Sequence, residues 1–242
     1  MQAFSGSAER GTAPVPAADL AALSQTFAAC GAVHVRGAVD PGAVAQVRAA
    51  AAHVYAERER LAQEDRLPAE LAVQHLRRFA SVDDLRLSSP VLDLLGACFW
   101  RLGRQYLQHD AVLHPHSHVR WISPERGDLH LPFHQDQTIA GTPLLNVWIP
   151  LVACGTDAPG LQVVRGSWRE LLAVAPLEHA EFAADKARID EALVAREFDA
   201  HAFWNPEFEP GDAMIFAGAT AHRTYLRPGM SRDRMSLELR LV

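Results

Sequence analysis

The stretch from Leu129 to Leu151, LHLPFHQDQTIAGTPLLNVWIPL, carries two apolar runs on either side of the polar centre His134-Gln135-Asp136. In the second run, Asn146 and Trp148 share one face of a strand, because successive strand side chains point to opposite faces. The apolar residues between them face the other way. We therefore predict a strand with its apolar face on the core, while Asn146 and Trp148 form either the wall of a wet pocket or an ordinary half-buried sheet surface.

The rest of the second half of the chain continues this pattern of short apolar segments separated by Gly, Pro, Asp and Asn. Such punctuation is typical of strands joined by turns. Many short strands in one block predict a β-sandwich or a β-barrel. The predicted strands are Val112–His114, Val119–Ile122, Leu129–Phe133, Leu144–Leu151, Leu161–Val164, Ala213–Phe216 and Met235–Val242.

The first half of the chain has the pattern of helices. A long helix is predicted from Pro41 to about Gln63, because Asp40 is a favourable N-cap and proline is favoured at the first helical position. A shorter helix over Ala17–Ala29 is expected to end at Gly31, since glycine commonly follows the last helical residue. The remaining predicted elements are a strand over Ala32–Arg36 and a helix over Val91–His109, which is preceded by the start signal Ser88-Ser89-Pro90.

Nothing in the sequence resembles a linker between domains, and the length suits one sizeable domain over residues 1–242. The expected parts of this domain are a mobile tail over residues 1–16, a helical support over residues 17–110, and a catalytic core over residues 111–242 with a lid or insertion over residues 168–204.

His134, Asp136 and the distant His222 are a candidate metal site. On a strand, His134 and Asp136 would point to the same face, and His222 follows the apolar run Ala213–Ala217. Two imidazoles and one carboxylate are the ligands of mononuclear non-haem Fe(II) sites, where they leave one face of the ion open. Because the chain has 12 histidines, hydrogen-bonded histidines on strands are the alternative. A metal site at the mouth of a β-structure favours a double-sheet jelly roll (double-stranded β-helix, cupin-like), mainly β, with the N-terminal helices packed on one sheet.

Five motifs in this order resemble the phytanoyl-CoA dioxygenase family of Fe(II)/2-oxoglutarate oxygenases. The resemblance covers about residues 112–242. The motifs are the metal motif His134-Gln135-Asp136, the Trp-bearing strand Leu144–Leu151, the Gly-opened strand and turn Gly160–Ser167, the distal His222 followed by Thr224, and Arg234 at the start of the final strand.

The resemblance implies that His134, Asp136 and His222 bind Fe(II), with 2-oxoglutarate and O2 as co-substrates. It favours Arg234 as the anchor of the distal carboxylate, which a guanidinium binds through two parallel hydrogen bonds. Arg232 has the same strand parity, so the pattern alone does not separate the two arginines. The alternative for Arg234 is a surface ion pair with Asp233 or Glu238.

Three further residues are candidate co-substrate contacts. Thr224 has a hydroxyl that could donate to the same carboxylate, although it is equally an ordinary β-residue. Asn146 and Trp148 would line the pocket from their strand. Arg120 and Trp121 precede the metal motif and are weaker candidates for the same pocket.

His114, His116 and His118 alternate and could form a second metal site, but Pro115 interrupts the strand and no carboxylate accompanies them. Cys30, Cys98 and Cys154 are far apart and odd in number. Free thiols in a reducing cytosol are therefore expected, which gives a cytoplasmic protein.

The composition limits the possible partners. A hydrophobic fraction of 49%, a net charge of −6 and a pI near 6.0 describe an ordinary globular protein and argue against nucleic acid or an anionic membrane as a partner. The oligomeric state is not predicted.

We expect hydroxylation of a small molecule, namely an amino acid, an amino-acid-like metabolite or a natural-product intermediate, with release of succinate and CO2. One alternative is a cupin-like metal enzyme, an isomerase or hydrolase, that uses no 2-oxoglutarate. The other is a metal-free jelly-roll binding module.

Overall fold

A computed structural model of the protein describes residues 15–16, 19–71, 79–82, 96–125, 130–175 and 183–242, and places ten strands in two sheets. The strands are β1 (Val15–Pro16), β2 (Ala32–Arg36), β3 (Phe79–Ser81), β4 (His118–Ile122), β5 (Leu145–Pro150), β6 (Gly160–Val164), β7 (Phe203–Trp204), β8 (Ala213–Ala217), β9 (His222–Tyr225) and β10 (Arg234–Leu241).

The larger sheet has seven strands in the order β1-β2-β8-β5-β10-β4-β3, and the smaller has three in the order β7-β6-β9. All the pairs are antiparallel except that of β1 with β2. These two mainly antiparallel sheets confirm the predicted double-sheet jelly roll.

Six α-helices accompany the sheets in the described residues. They are α1 (Leu20–Cys30), α2 (Pro41–Gln63), α3 (Ala97–Leu107), α4 (Asp136–Ala140), α5 (Ala183–Lys186) and α6 (Glu191–Glu197), and single 3₁₀ turns cover Ala69–Leu71, Ser167–Arg169 and Ala200–Ala202. None of these helices is both long and apolar enough to cross a bilayer.

Local signals account for the two long N-terminal helices. Asp40 caps α2 by accepting a 2.9 Å hydrogen bond from the Ala43 N–H, and Pro41 occupies the first turn. Gly31 ends α1 with a φ of +73°, a left-handed conformation that suits glycine. Both boundaries are close to those predicted.

Apolar packing on both faces of the large sheet forms the core. Helices α1, α2 and α3 cover one face, where α2 buries Val44, Val47 and Ala51 at helical spacing. On the other face, Trp148 and Met214 pack against residues of the small sheet such as Val163 and Trp204. The N-terminal helices therefore lie on one sheet, as predicted, and the metal-site candidates lie between the two sheets.

Two predicted strands are wrong. Leu113 makes only an isolated bridge with Leu241, and the pairing stops before Pro115, which has no N–H to donate. The described part of Leu129–Phe133 also lacks a continuous ladder. The Leu131 carbonyl accepts a backbone hydrogen bond from the Thr224 N–H, but the Leu131 N–H donates to the side-chain Oγ1 of Thr224, and Pro132 has no N–H to continue the pairing.

Several predicted features lie wholly or partly outside the described residues. These are residues 1–14 of the expected tail, residues 17–18 of the first predicted helix, the helix start Ser88-Ser89-Pro90 with residues 91–95 of the helix that follows it, Leu129 of a predicted strand, and residues 176–182 of the expected insertion. The last two residues of the tail, Val15 and Pro16, form β1 and pair with Val35 and Arg36.

Candidate metal and co-substrate site

The three predicted metal ligands meet between the sheets. His134 forms an isolated bridge with His222 at the start of β9, and Asp136 begins α4. The Nε2 atoms of His134 and His222 lie 3.7 and 3.8 Å from the two carboxylate oxygens of Asp136. One ligand atom from each residue fits within 4.8 Å, and all three residues are buried. In the described part of the chain, no other group of His, Cys, Asp and Glu has this arrangement.

The backbone that carries the first two ligands differs from the prediction. His134 and Asp136 do not share a strand, because the chain turns from an extended Gln135 into the helical Asp136. The carboxylate of Asp136 therefore reaches the site from the first residue of a helix. The side chains of His134 and Asp136 reach the same site, as predicted, but they do so through a strand-to-helix turn and not through the alternation of a strand.

Gln135 holds this turn in place and does not line the pocket. Its fully buried amide donates hydrogen bonds to the carbonyls of Ala219 (2.5 Å) and Glu170 (2.9 Å). Its side-chain oxygen accepts a 2.8 Å hydrogen bond from the Leu172 N–H. The residue between the two ligands is thus fixed to the loops that precede β9 and follow β6.

Backbone carbonyls orient both imidazoles. The Nδ1 of His134 lies 2.8 Å from the Pro132 carbonyl, and the Nδ1 of His222 lies 2.9 Å from the Thr220 carbonyl. A carbonyl only accepts, so each Nδ1 must carry the hydrogen. Each Nε2 then presents a lone pair toward Asp136, the orientation that a metal ligand requires.

The ionisation states also suit a metal. Burial lowers the pKa of His134 to about 3, and burial likewise lowers the pKa of His222. Burial raises the pKa of Asp136, but the Arg240 guanidinium, with its Nη2 3.3 Å from Oδ2, leads the charges that hold this pKa well below its usual range. Neutral imidazoles and an ionised carboxylate are the forms that bind a metal.

The ligands open into a pocket with about 430 Å³ of empty space. Its other walls come from β4, β5, β6, β8, β9 and β10 and from the loop before His134. The lining residues beyond the three ligands are Arg120, Leu131, Asn146, Val147, Trp148, Leu161, Phe216, Arg223, Thr224, Arg234, Glu238, Leu239 and Arg240.

Arg234 is a buried cation on this wall. Its Nη1 donates a 2.8 Å hydrogen bond to the Gly160 carbonyl, its Nη2 lies 3.5 Å from a Glu238 oxygen, and its guanidinium carbon lies 5.4 Å from the centre of the Trp148 ring. Its Nε has no partner among the described residues. Burial lowers the pKa to about 10, so the group is charged at neutral pH. Arg232 is exposed and does not line the pocket.

The other predicted co-substrate contacts also reach the pocket. Thr224 Oγ1 accepts a 3.0 Å hydrogen bond from the Leu131 N–H, which leaves its own hydrogen free to donate. Asn146 is buried, and its Nδ2 has no partner in the part of the chain that the structure describes. Trp148 packs against Phe208 while also lining the pocket.

Of the ionic cluster on β10 and β4, the sequence suggested only an ion pair of Arg234 with Glu238, and it placed that pair on the surface, whereas Arg234 is buried in the structure. Glu238 lies 3.1 Å from His118 Nε2 and accepts a 3.1 Å hydrogen bond from Ser236 Oγ. Burial raises its pKa, but Arg120, His118 and Arg234 together hold the pKa well below its usual range. The alternation of β10 placed Glu238 on the same face as Arg234, but the register that brings β4 beside it is not readable from the sequence.

The three alternating histidines do not form a second metal site among the described residues. His118 turns inward to Glu238, and its ring stacks on Phe79 at 3.6 Å. The rings of His114 and His116 lie 5.0 Å apart, but the described residues place no carboxylate or thiol with them to complete a group of three metal ligands. Trp121 packs against the apolar core between the large sheet and the N-terminal helices, and it does not line the pocket.

Comparisons with solved structures give the same fold. EvdO2 from Micromonospora carbonacea var. aurantiaca, complexed with 2-oxoglutarate, has a TM-score of 0.63 at 16% identity over 95% of this chain and 91% of that chain. EctD from S. alaskensis, with 2-oxoglutarate and 5-hydroxyectoine, has a TM-score of 0.62 at 18% identity over 90% and 74%. The epimerase SnoN, in complex with Fe3+, alpha ketoglutarate and nogalamycin RO, has a TM-score of 0.56 at 20% identity over 93% and 84%.

No curated protein matches the sequence. The profile of the phytanoyl-CoA dioxygenase family, however, matches residues 27–226, which is most of the chain. The chain therefore belongs to the phytanoyl-CoA dioxygenase family of non-haem Fe(II)/2-oxoglutarate oxygenases, with His134, Asp136 and His222 as its facial triad.

Proposed function

We propose that the protein uses 2-oxoglutarate and O2 to hydroxylate a small molecule, namely an amino acid, an amino-acid-like compound or a natural-product intermediate. The observation that carries this proposal is the presence of a buried arginine with an unpaired Nε, Arg234, in the same pocket as the triad. EctD with 5-hydroxyectoine and SnoN with nogalamycin RO support a small-molecule substrate.

The described residues fit the expected cofactors. Two imidazoles and a carboxylate are the ligand set of Fe(II) in such enzymes. When bound, Fe(II) and 2-oxoglutarate supply the oxidation, in which one oxygen atom of O2 enters succinate as CO2 leaves and the other enters a substrate C–H bond. The protein supplies orientation and a site that limits side reactions.

Arg234 would hold the distal carboxylate of 2-oxoglutarate. Its guanidinium is fixed by the Gly160 carbonyl and by the Trp148 ring, so little side-chain freedom is lost on binding. Thr224 would donate its free hydroxyl hydrogen to the same carboxylate, and Asn146 would donate from its unpaired Nδ2. These roles give an acceptor to Arg234 Nε and to Asn146 Nδ2, the two buried donors of this group that have no partner among the described residues.

The segment 168–204 would cover the mouth and influence the choice of substrate. Its described part already contacts the site, because Ile189 donates a 2.7 Å backbone hydrogen bond to Phe133 and Glu191 on α6 lies 2.9 Å from Arg223. We also place the protein in a reducing cytosol as one domain, in keeping with the free thiols Cys30 and Cys154.

A metabolite panel scored by succinate release in the presence of Fe(II) and ascorbate tests the proposal. We expect at least one small molecule to stimulate succinate formation, and the His134→Ala variant to abolish it. The Arg232→Ala variant is the matched control, because Arg232 is exposed and outside the pocket. A metal-dependent reaction that consumes no 2-oxoglutarate would instead support the isomerase or hydrolase alternative.

A further inference from the structure

The described pocket residues carry more positive than negative charge. Four arginines line the pocket, against the two carboxylates Asp136 and Glu238. One arginine, Arg223, is also paired with Glu191 from α6 at 2.9 Å. Fe(II) and doubly ionised 2-oxoglutarate cancel each other, so the loaded site keeps one excess positive charge. An uncompensated charge in a largely buried site is unfavourable, and a substrate with one negative charge would neutralise it.

Arg120 is the pocket arginine whose N–H groups have no hydrogen-bond acceptor among the described residues. Its side chain is 14% exposed, and it makes no hydrogen bond to the described residues. Its nearest carboxylate oxygen, on Glu238, is 4.0 Å from Nε, which is beyond hydrogen-bonding distance. The remaining pocket arginines all donate hydrogen bonds, namely Arg223 to Gln162, Arg234 to Gly160 and Arg240 to His116.

The position of Arg120 suits contact with the primary substrate. It lies on β4 opposite Phe79 of β3, whose ring is 5.8 Å from the guanidinium carbon and supports it from one side. Arg120 lines the same pocket as His134, Asp136 and His222, so its guanidinium shares the site with the metal ligands. The guanidinium thus combines free donors, a fixed support and proximity to the reaction centre.

We propose that Arg120 binds a carboxylate of the primary substrate. This inference rests on the proposed function and names the substrate class of the same site. The planar fork of a guanidinium matches a carboxylate in two parallel hydrogen bonds. A carboxylate fits better than a phosphate monoester, because one excess charge is to be matched and a phosphate monoester carries about −1.5 to −2 at neutral pH.

Pairs of N-acetyl-L-amino acids with uncharged side chains and their primary amides test the charge requirement, because the acids carry one negative charge and the amides carry none. Mn(II) replaces Fe(II) so that no turnover occurs, and binding to the Mn(II)–2-oxoglutarate protein is measured by calorimetry. We expect acids to bind at least about tenfold more tightly than their amides, a difference of about 1.4 kcal/mol. Arg120→Gln should remove that preference and leave the Kd for 2-oxoglutarate within about twofold. Arg196→Gln, an exposed arginine on α6, is the matched control.

Bromide gives a second test that does not depend on the identity of the substrate. Anomalous diffraction from bromide-soaked crystals of the Mn(II)–2-oxoglutarate protein should place bromide at the Arg120 guanidinium, and Arg120→Gln should remove it. Absence of bromide at Arg120 in the wild type, or equal binding of acids and amides, would overturn the proposal. Loss of 2-oxoglutarate binding in Arg120→Gln would also overturn it by assigning Arg120 to the co-substrate. Failure of the wild type to bind 2-oxoglutarate at all would instead refute the proposed function.

Discussion

Replacing Arg234 with alanine should weaken 2-oxoglutarate binding by about thirty-fold or more. Arg234 is only 2% exposed, so a carboxylate bound beside its guanidinium would be largely removed from water. Truncating one partner of a buried, hydrogen-bonded charge pair costs roughly 2–5 kcal/mol, because the other charge is left unpaired. At about 1.4 kcal/mol per tenfold change, the lower end of this range corresponds to about thirty-fold.

The assay is an anaerobic titration of 2-oxoglutarate into the Fe(II) protein, followed by the metal-to-ligand absorption band. Metal affinity should change little, because Arg234 is not a ligand and contacts Gly160, Glu238 and Trp148 instead. Arg232→Ala is the control and should bind 2-oxoglutarate almost as the wild type does. If Arg234→Ala still binds 2-oxoglutarate tightly while Arg232→Ala no longer binds it, the anchor has been assigned to the wrong arginine.

Three further predictions concern stability and can be checked by urea unfolding. Gly31→Ala should cost at least about 2 kcal/mol, because φ is +73° and the new Cβ would lie 2.0 Å from the Trp168 ring, whereas Gly37→Ala, with φ of +59° and open space, should cost only about 1 kcal/mol. Gln135→Ala should cost about 3 kcal/mol by leaving buried backbone groups unpaired, and a loss below 1 kcal/mol would contradict the role given to this amide. Burial raises the pKa of Asp212, but hydrogen bonds from His34 and from backbone N–H groups outweigh it and lower the pKa from 3.8, so the ionised carboxylate stabilises the fold fully above pH 3.8 and loses this contribution as the pH falls through the lower folded pKa. The loss of unfolding free energy in Asp212→Asn should therefore become smaller in acid. A loss that grows as the pH falls would refute the direction of this pKa shift.

The sequence was sufficient for features that depend on local periodicity. Alternation along β5 and β10 separated the core face from the pocket face and placed Asn146, Trp148 and Arg234 correctly on the latter. The cap at Asp40 and the glycine at Gly31 gave the helix boundaries. These signals act within one element, which is why a single sequence reveals them.

Features that depend on register or on very short elements were not accessible in the same way. Helix α4 is too short to show a helical period, so Asp136 was expected on a strand. Strand β9 was missed because His222 and Thr224 face the site and leave no apolar alternation. The contact of Arg240 with Asp136 joins the last strand to the metal motif, and only the folded topology shows it.

Anomalous diffraction at the iron edge from crystals grown anaerobically with Fe(II) and 2-oxoglutarate tests the central claim most directly. We predict one iron per chain, bound by Nε2 of His134, Nε2 of His222 and a carboxylate oxygen of Asp136, with 2-oxoglutarate beside it. Iron bound elsewhere in the chain, or 2-oxoglutarate bound away from this iron, would contradict the account.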